Sequence, residues 1–293
     1  MSPTHRRLTL LWLGLALLVA CSSPTVPAPI LPPPDAQVAG AAANVPAQRV
    51  EVQEYAVAPS PEPENAPPAL AECPPQSPRR LQVGRRDELV RGDSAIPEIA
   101  LTFDAGAGSG TILDLLDVLL DRGVHSTFFI AGAFADRYPR ILERISADGH
   151  ELANHSYTHP DFANLTEKQI RDELHRATIA IERASGAQIA PLWRPPFGSR
   201  NDRVLQVVES EGFRSIYWTF DSGDWIEGMT QRQITNTDLS KAGNGAVVVH
   251  HVSPDITARA MPTIIDTLRD RGFSLVTVSE ILGYDSACLP KLG

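Results

Sequence analysis

His155 and His159 lie four residues apart in the segment Asn154-His-Ser-Tyr-Thr-His-Pro160. Four residues is about one helical turn, so two side chains at that spacing can face one point. Two neutral imidazoles converging on a point suit zinc, cobalt, nickel or iron better than calcium or magnesium. The same spacing also occurs in ordinary surface or core pairs, so its meaning depends on what else the chain brings to the site. Reactive side chains recur at the ends of apolar runs. Asp104 follows Thr102-Phe103, Arg194 follows Leu192-Trp193, Asp221 and Asp224 follow Tyr217-Trp218-Thr219-Phe220, and His250 and His251 follow Val247-Val248-Val249. An acid or histidine at one strand end is commonplace, but several such clusters in one chain argue for a shared site.

The apolar runs predict strands over 98–103, 126–131, 151–154, 192–194, 215–220, 246–250 and 274–278. Several are continuously apolar, as strands of a buried parallel sheet are. Helical patterns lie between them. The stretch 111–122 carries Ile112, Leu115, Leu116 and Leu119 on one face and stops before Gly123. Thr166 and Gln169 form a capping-box pattern that opens a helix over 166–184, and further helices are predicted over 201–211 and 256–271. Alternating strands and helices make this an α/β domain, either a parallel (β/α) barrel or a doubly wound sheet. In both, chemistry gathers at the carboxyl ends of the strands, where the reactive residues fall.

The first seventy or so residues carry a different message. Arg6 and Arg7 precede an apolar run from Leu8 to Val19, too short for a membrane span, and the pattern is that of an export signal. Its end, Leu18-Val19-Ala20-Cys21, resembles a bacterial lipoprotein processing box, which implies cleavage after residue 20 and lipid on Cys21. Residues 21–72 are rich in Pro and Ala and form a flexible linker, with an extended reach on the order of 100 Å. The folded domain is predicted over 73–293. Cys73 and Cys288 bracket it. A disulfide between them suits an oxidising compartment and would contribute about 5 kcal/mol in the chain-entropy account; two free thiols are the alternative. The net charge is -9, with no basic footprint for nucleic acid.

Five segments in order resemble the polysaccharide deacetylase family, also called the NodB-homology or family 4 carbohydrate esterase domain. They are Thr102-Phe103-Asp104-Ala105-Gly106, His155-Ser156-Tyr157-Thr158-His159-Pro160, Arg194-Pro195-Pro196-Phe197-Gly198, Asp221-Ser222-Gly223-Asp224-Trp225 and Val247-Val248-Val249-His250-His251. The resemblance spans about 95–283. It implies a distorted (β/α) barrel of about seven parallel strands and a metal-dependent hydrolase that removes N-acetyl groups from an envelope polysaccharide such as peptidoglycan or a poly-N-acetylglucosamine glycan. It also implies roles. Asp104 is the base, Arg194 holds it ionised, His251 is the acid (with His250 the fallback), and Asp224 orients that acid. His155 and His159 hold a divalent metal, zinc by preference, with cobalt, nickel or manganese possible. Phe197 and Trp225 line the substrate pocket. The implied location is the envelope or exterior face of the cell membrane or outer membrane, through the lipid anchor. One departure stands out. The family's metal-binding Asp follows its base directly, and here that position is Ala105. Asp104 or Asp161 could supply a third ligand in its place. The departure opens a second reading, a catalytically impaired domain that binds glycan. A third is an O-acetyl esterase using the same constellation.

Overall fold

A computed structural model describes residues 79–284, apart from position 107. The export signal, the linker, Cys21, Cys73 and Cys288 lie outside the described residues. The chain enters through β1 (Gln82–Val83) and β2 (Leu89–Arg91), then runs through β3 (Glu98–Ala105), α1 (Ile112–Asp121), β4 (Thr127–Ile130), α2 (Gly132–Arg137), α3 (Pro139–Ala147), β5 (Glu151–Asn154) and α4 (Glu167–Ser185). It continues with β6 (Leu192–Trp193), α5 (Asp202–Ser210), β7 (Arg214–Ser215), β8 (Phe220–Asp221), α6 (Gln231–Lys241), β9 (Ala246–His251), α7 (Asp255–Asp270), β10 (Ser274–Leu275) and α8 (Val278–Ile281).

The sheet runs β1-β2-β9-β3-β4-β5-β6-β7, with β10 beside β3 and β8 beside β9. From β3 onward every pairing is parallel, whereas β2 meets β9 antiparallel. Ile216, just past β7, bridges in parallel to Leu89. The sheet therefore curls round, and β2 fills the seam of a distorted barrel.

Strand alternation sorts the side chains into two layers. Ile99, Leu101, Phe103 and Ala105 of β3 pack outward into the larger core, against Leu115, Leu116 and Leu119 of α1 and Ile264 of α7. Ala100 belongs to the inner cluster with Phe129, Ala153, Leu192, Ile216 and Val247, and Val278 and Ile281 of α8 close that cluster. Leu89 is fully buried in the inner cluster, so truncation to alanine at the seam costs about 2–5 kcal/mol. The predicted caps are present. Thr166 and Gln169 form a reciprocal capping box, and α4 ends on Gly186 in the left-handed region.

The strand predicted over 215–220 is interrupted. After β7 the backbone changes partners: Tyr217 N donates to Leu89 O, and Thr219 N donates to Val247 O. Helices α2, α3, α6 and α8 were not anticipated, and the strand predicted over 274–278 stops at Leu275, because Thr277 caps α8 and turns the chain into that helix. Among the described residues no helix is long and apolar enough to cross a membrane.

Candidate active site

Asp104 is the third inward residue of β3 after Ala100 and Thr102, and it sits at the carboxyl end of the barrel. Arg194, just past β6, is fully buried beneath it. Arg194 Nη1 donates to Asp104 Oδ1 at 2.7 Å and to Thr102 Oγ1 at 2.8 Å, and Nη2 donates to Tyr217 O at 3.3 Å. Its guanidinium lies 3.9 Å from the centroid of the Phe129 ring. Burial pushes the Asp104 carboxyl up, but the charge and hydrogen bond of Arg194, with His155 and His251 adding to them at acid pH, outweigh it and hold the carboxyl below its ordinary 3.8. Asp104 is thus an ionised carboxylate held through Oδ1 by one charge-assisted bond from Arg194, with Oδ2 still free.

The two imidazoles stand beside it. His155 Nδ1 lies 2.9 Å from Arg194 O. A carbonyl only accepts, so Nδ1 carries the hydrogen and the Nε2 lone pair faces the site. Nε2 lies 3.7 Å from Asp104 Oδ2. Burial lowers the His155 pKa to about 4, so the ring is neutral near pH 7 and the contact is not an ion pair. Burial also lowers the pKa of His159. The two ring centroids are 4.8 Å apart. Ser156 and His159 both have left-handed backbones, with φ of 65° and 60°. Such positions cost about 1–3 kcal/mol each and concentrate at functional sites. Gly106 passes so close that a Cβ there would meet His159 Cδ2 at 3.1 Å.

Opposite stands a second dyad. His251 ends β9 on the inward face. Its Nδ1 lies 2.8 Å from Asp224 Oδ1, and its backbone N–H donates to Asp224 Oδ2 at 2.7 Å. Thr257 Oγ1, in the first turn of α7, donates to the same Oδ2 at 2.6 Å. Burial lowers the His251 pKa, but the hydrogen bond to Asp224 and the charges of Asp104, Asp224 and Asp221 outweigh it and raise the value. Since a carboxylate accepts, Nδ1–H faces Asp224 and Nε2 is left to carry the second proton. His250 points the other way. It is fully buried, its Nε2 lies 2.7 Å from Asp238 Oδ2 on α6, and its ring packs on Phe103. The alternation of β9 thus places His251, not His250, beside Asp224.

Two aromatics rim the opening. Phe197 is 74% exposed, with its ring centroid 4.5 Å from that of His159 in a T-shaped pair and a left-handed φ of 56°. Trp225 is 60% exposed, and its indole N–H donates to Asp221 Oδ2 at 3.0 Å. Neither is a core residue.

Ala105 is fully buried among apolar side chains. Asp161 is committed elsewhere: it caps a short turn by accepting from Ala163 N and Asn164 Nδ2, and it also accepts from Ser199 Oγ. Among the described residues no group of three His, Cys, Asp or Glu side chains is arranged to hold a metal ion. Catalytic zinc sites ordinarily take three protein ligands. His155 and His159 therefore match a divalent cation in donor type, and His155 in tautomer, but no third protein ligand joins them among the described residues.

Several supporting residues were not anticipated from the sequence, namely Thr102, Asn154, Glu173, Asp238 and Thr257. For Glu173 a signal was available. It is a charged residue on the helix face that carries Ile170, Leu174, Ala177 and Ile181 to the core.

Comparison with known proteins follows the same outline. The family model for polysaccharide deacetylase matches residues 91–216. A chitooligosaccharide deacetylase from Bradyrhizobium sp. (strain ANU 289) is 32% identical over 202 residues, covering 64% of this chain and 92% of that protein. The crystal structure of the Bc1960 peptidoglycan N-acetylglucosamine deacetylase superposes with a TM-score of 0.64 at 28% identity, covering 67% of this chain and 93% of that one. BA3943 from Bacillus anthracis, described as a pseudoenzyme of the CE4 family, also gives 0.64 at 28% identity, covering 67% of this chain and 68% of that one. A mutant of BA3943 is described as having restored enzymatic activity.

Proposed function

This chain belongs to the polysaccharide deacetylase family, and from that premise we propose that it hydrolyses N-acetyl groups on an envelope polysaccharide such as peptidoglycan, with Asp104 as base and His251 as acid. The observation that carries the reading is the pair of oppositely tuned dyads on one opening. Arg194 favours the ionised form of Asp104 and Asp224 favours the protonated form of His251, the forms that a base and an acid need. Asp104 Oδ2 takes a proton from water as the water oxygen bonds to the acetyl carbon. His251 Nε2 then gives a proton to the amide nitrogen as the C–N bond breaks, leaving acetate and a free amine. Asp224 stabilises the imidazolium before transfer. Among the described residues no third protein ligand joins the two imidazoles, and Asp104 and His251 carry the proton transfers. Divalent metal enters the proposal only as loose binding at His155 and His159.

Peptidoglycan is favoured by the name of the structural relative above and by the export signal. We place the protein on the envelope face of a membrane, held through Cys21; a Cys21→Ser chain that still labels with palmitate would overturn that placement. The test of activity is acetate release by the full chain from N-acetylglucosamine oligomers and from peptidoglycan, with and without added zinc, cobalt or manganese. Failure to release acetate under any of these conditions overturns the enzyme reading. The alternative, a glycan-binding domain without turnover, is favoured by Ala105 and by the likeness to BA3943. It predicts that peptidoglycan is retained by the protein and that no acetate appears. Release from O-acetylated but not N-acetylated glycan would mark an esterase instead.

A further inference from the structure

We infer that Glu173, on α4, is a positioning residue that sets the two imidazoles through the backbone between them. The inference rests on the deacetylase reading for its kinetic readout and on geometry for its substance. Glu173 Oε2 accepts from Tyr157 N at 2.8 Å and from Thr158 N at 2.7 Å, and Oε1 accepts from Thr158 Oγ1 at 2.8 Å. Tyr157 and Thr158 are two of the three residues separating His155 from His159. No Lys or Arg pairs with this carboxylate among the described residues, so the loop supplies its donors. A buried carboxylate needs such compensation, and bonds to an ionised acceptor are stronger than neutral ones.

The loop needs the carboxylate in turn. Ser156 and His159, on either side of the bonded pair, both occupy the left-handed region. A backbone with two such residues in four persists only where its surroundings over-determine it. Asn154 supplies the other anchor. Its Oδ1 accepts from Ser156 N at 2.8 Å, while Nδ2 donates to Leu174 O at 2.9 Å and to Thr178 Oγ1 at 3.1 Å. Both attachments run to α4, a helix of 19 residues packed against α2, α3 and α5. The helix acts as a jig. Asn154 and Glu173 clamp the segment from 154 to 158, and His159 is delivered between Phe197 and Gly106.

The test compares Glu173→Ala and Glu173→Gln in the full chain. Glutamine keeps one oxygen to accept from the two N–H groups, and its amide can donate to the Thr158 hydroxyl, so it should rescue the loop. Alanine leaves both N–H groups without their acceptor. His155 Nε2 stands 3.7 Å from Asp104 Oδ2, so a shifted loop disturbs the base; a displacement of about 1 Å is enough to lower turnover roughly 100-fold, and Glu173→Ala should lose about that factor in kcat while KM and the kcat of Glu173→Gln stay within about threefold. The readout independent of turnover is the imidazole resonances in nitrogen–proton correlation spectra. Those of His155 and His159 should move in Glu173→Ala and return in Glu173→Gln, while those of His251 stay in place. If the parent chain releases no acetate, the deacetylase reading fails and the imidazole resonances still decide this inference. If Glu173→Ala does not fold, Glu173→Asp replaces it; one methylene shorter, it withdraws the acceptor and should move the same two resonances. Unmoved resonances in the folded variant, parental kcat in Glu173→Ala, or equal damage from glutamine and alanine would each overturn the inference.

Discussion

Replacing Arg194 with methionine separates the cation from the rest of the site. The backbone carbonyl that orients His155 stays in place, and the methionine chain fills part of the same space. What disappears is the donor set for Asp104 Oδ1, Thr102 Oγ1 and the carbonyls of Ile216 and Tyr217. Both partners of the ion pair are buried, and removing one partner of such a pair costs about 3–5 kcal/mol. For a domain of this size that is a fall in Tm of roughly 6–20 °C. The pH dependence tests the cause. In the parent the folded Asp104 carboxyl lies below its ordinary value, so its contribution is fully present above about 3.8 and is lost as pH falls through the folded value. In the variant, burial is opposed only by His155 and His251, and the carboxyl moves up. Ionised Asp104 then destabilises the variant near neutrality, and protonation relieves it in acid. The gap in Tm between parent and variant should therefore be widest near neutral pH and should narrow as pH falls through the acid range. The acid limb of acetate release should also move to higher pH. A gap that stays constant with pH would show that Arg194 supports the fold through packing, not by holding Asp104 ionised, and would refute the reasoning.

Other perturbations address the remaining groups. Asp224→Asn removes a charge-assisted bond of about 1.5–3 kcal/mol, so kcat/KM should fall roughly 10- to 150-fold, with the alkaline limb displaced to lower pH because the raised His251 pKa loses its support; an unmoved limb would assign the proton donor elsewhere. Asp104→Asn keeps an acceptor for Arg194 but cannot take a proton, and a loss of about 100- to 10,000-fold in acetate release is expected. Survival of full activity would exclude Asp104 as the base. Ala105→Asp tests whether a carboxylate at that position can reach the imidazole pair, in which case calorimetric titration with cobalt should show tighter binding than in the parent chain. Equal affinities would mean that the loop after β3 has been rebuilt around another arrangement.

The parts of the site that sequence made legible are those whose logic is local. Asp104, His155, Arg194, Asp224 and His251 each follow an apolar strand or its continuation, and the parallel sheet brings those ends together. The barrel was legible for the same reason, since alternating strands and helices leave few other ways to bury both faces of a sheet. The seam was not. Leu89 finds Ile216 and Arg91 finds Ala246 across long intervals of chain, and two or three residues carry no period to read. Tyr217 to Thr219 look like a strand by composition and leave the strand path because the seam competes for their backbone. Helix α6 was hidden by its polarity, with only Ile234 and Asp238 buried. Phe197 and Trp225 show the converse limit. Aromatic character alone does not separate a core residue from a surface one, and the fold shows both side chains exposed.

The histidine on the outward face of β9 has an evolutionary consequence. His250 and Asp238 are buried together. A drift of either one to an apolar residue strands the other, at about 3–5 kcal/mol, whereas exchanging both for well-packed apolar residues is near neutral or favourable. The two positions are therefore separated from an all-apolar state by a fitness valley that single substitutions cross badly. Descendants of this chain should keep both residues or lose both, and the turn of α6 carrying position 238 is bound by descent to the strand that presents His251.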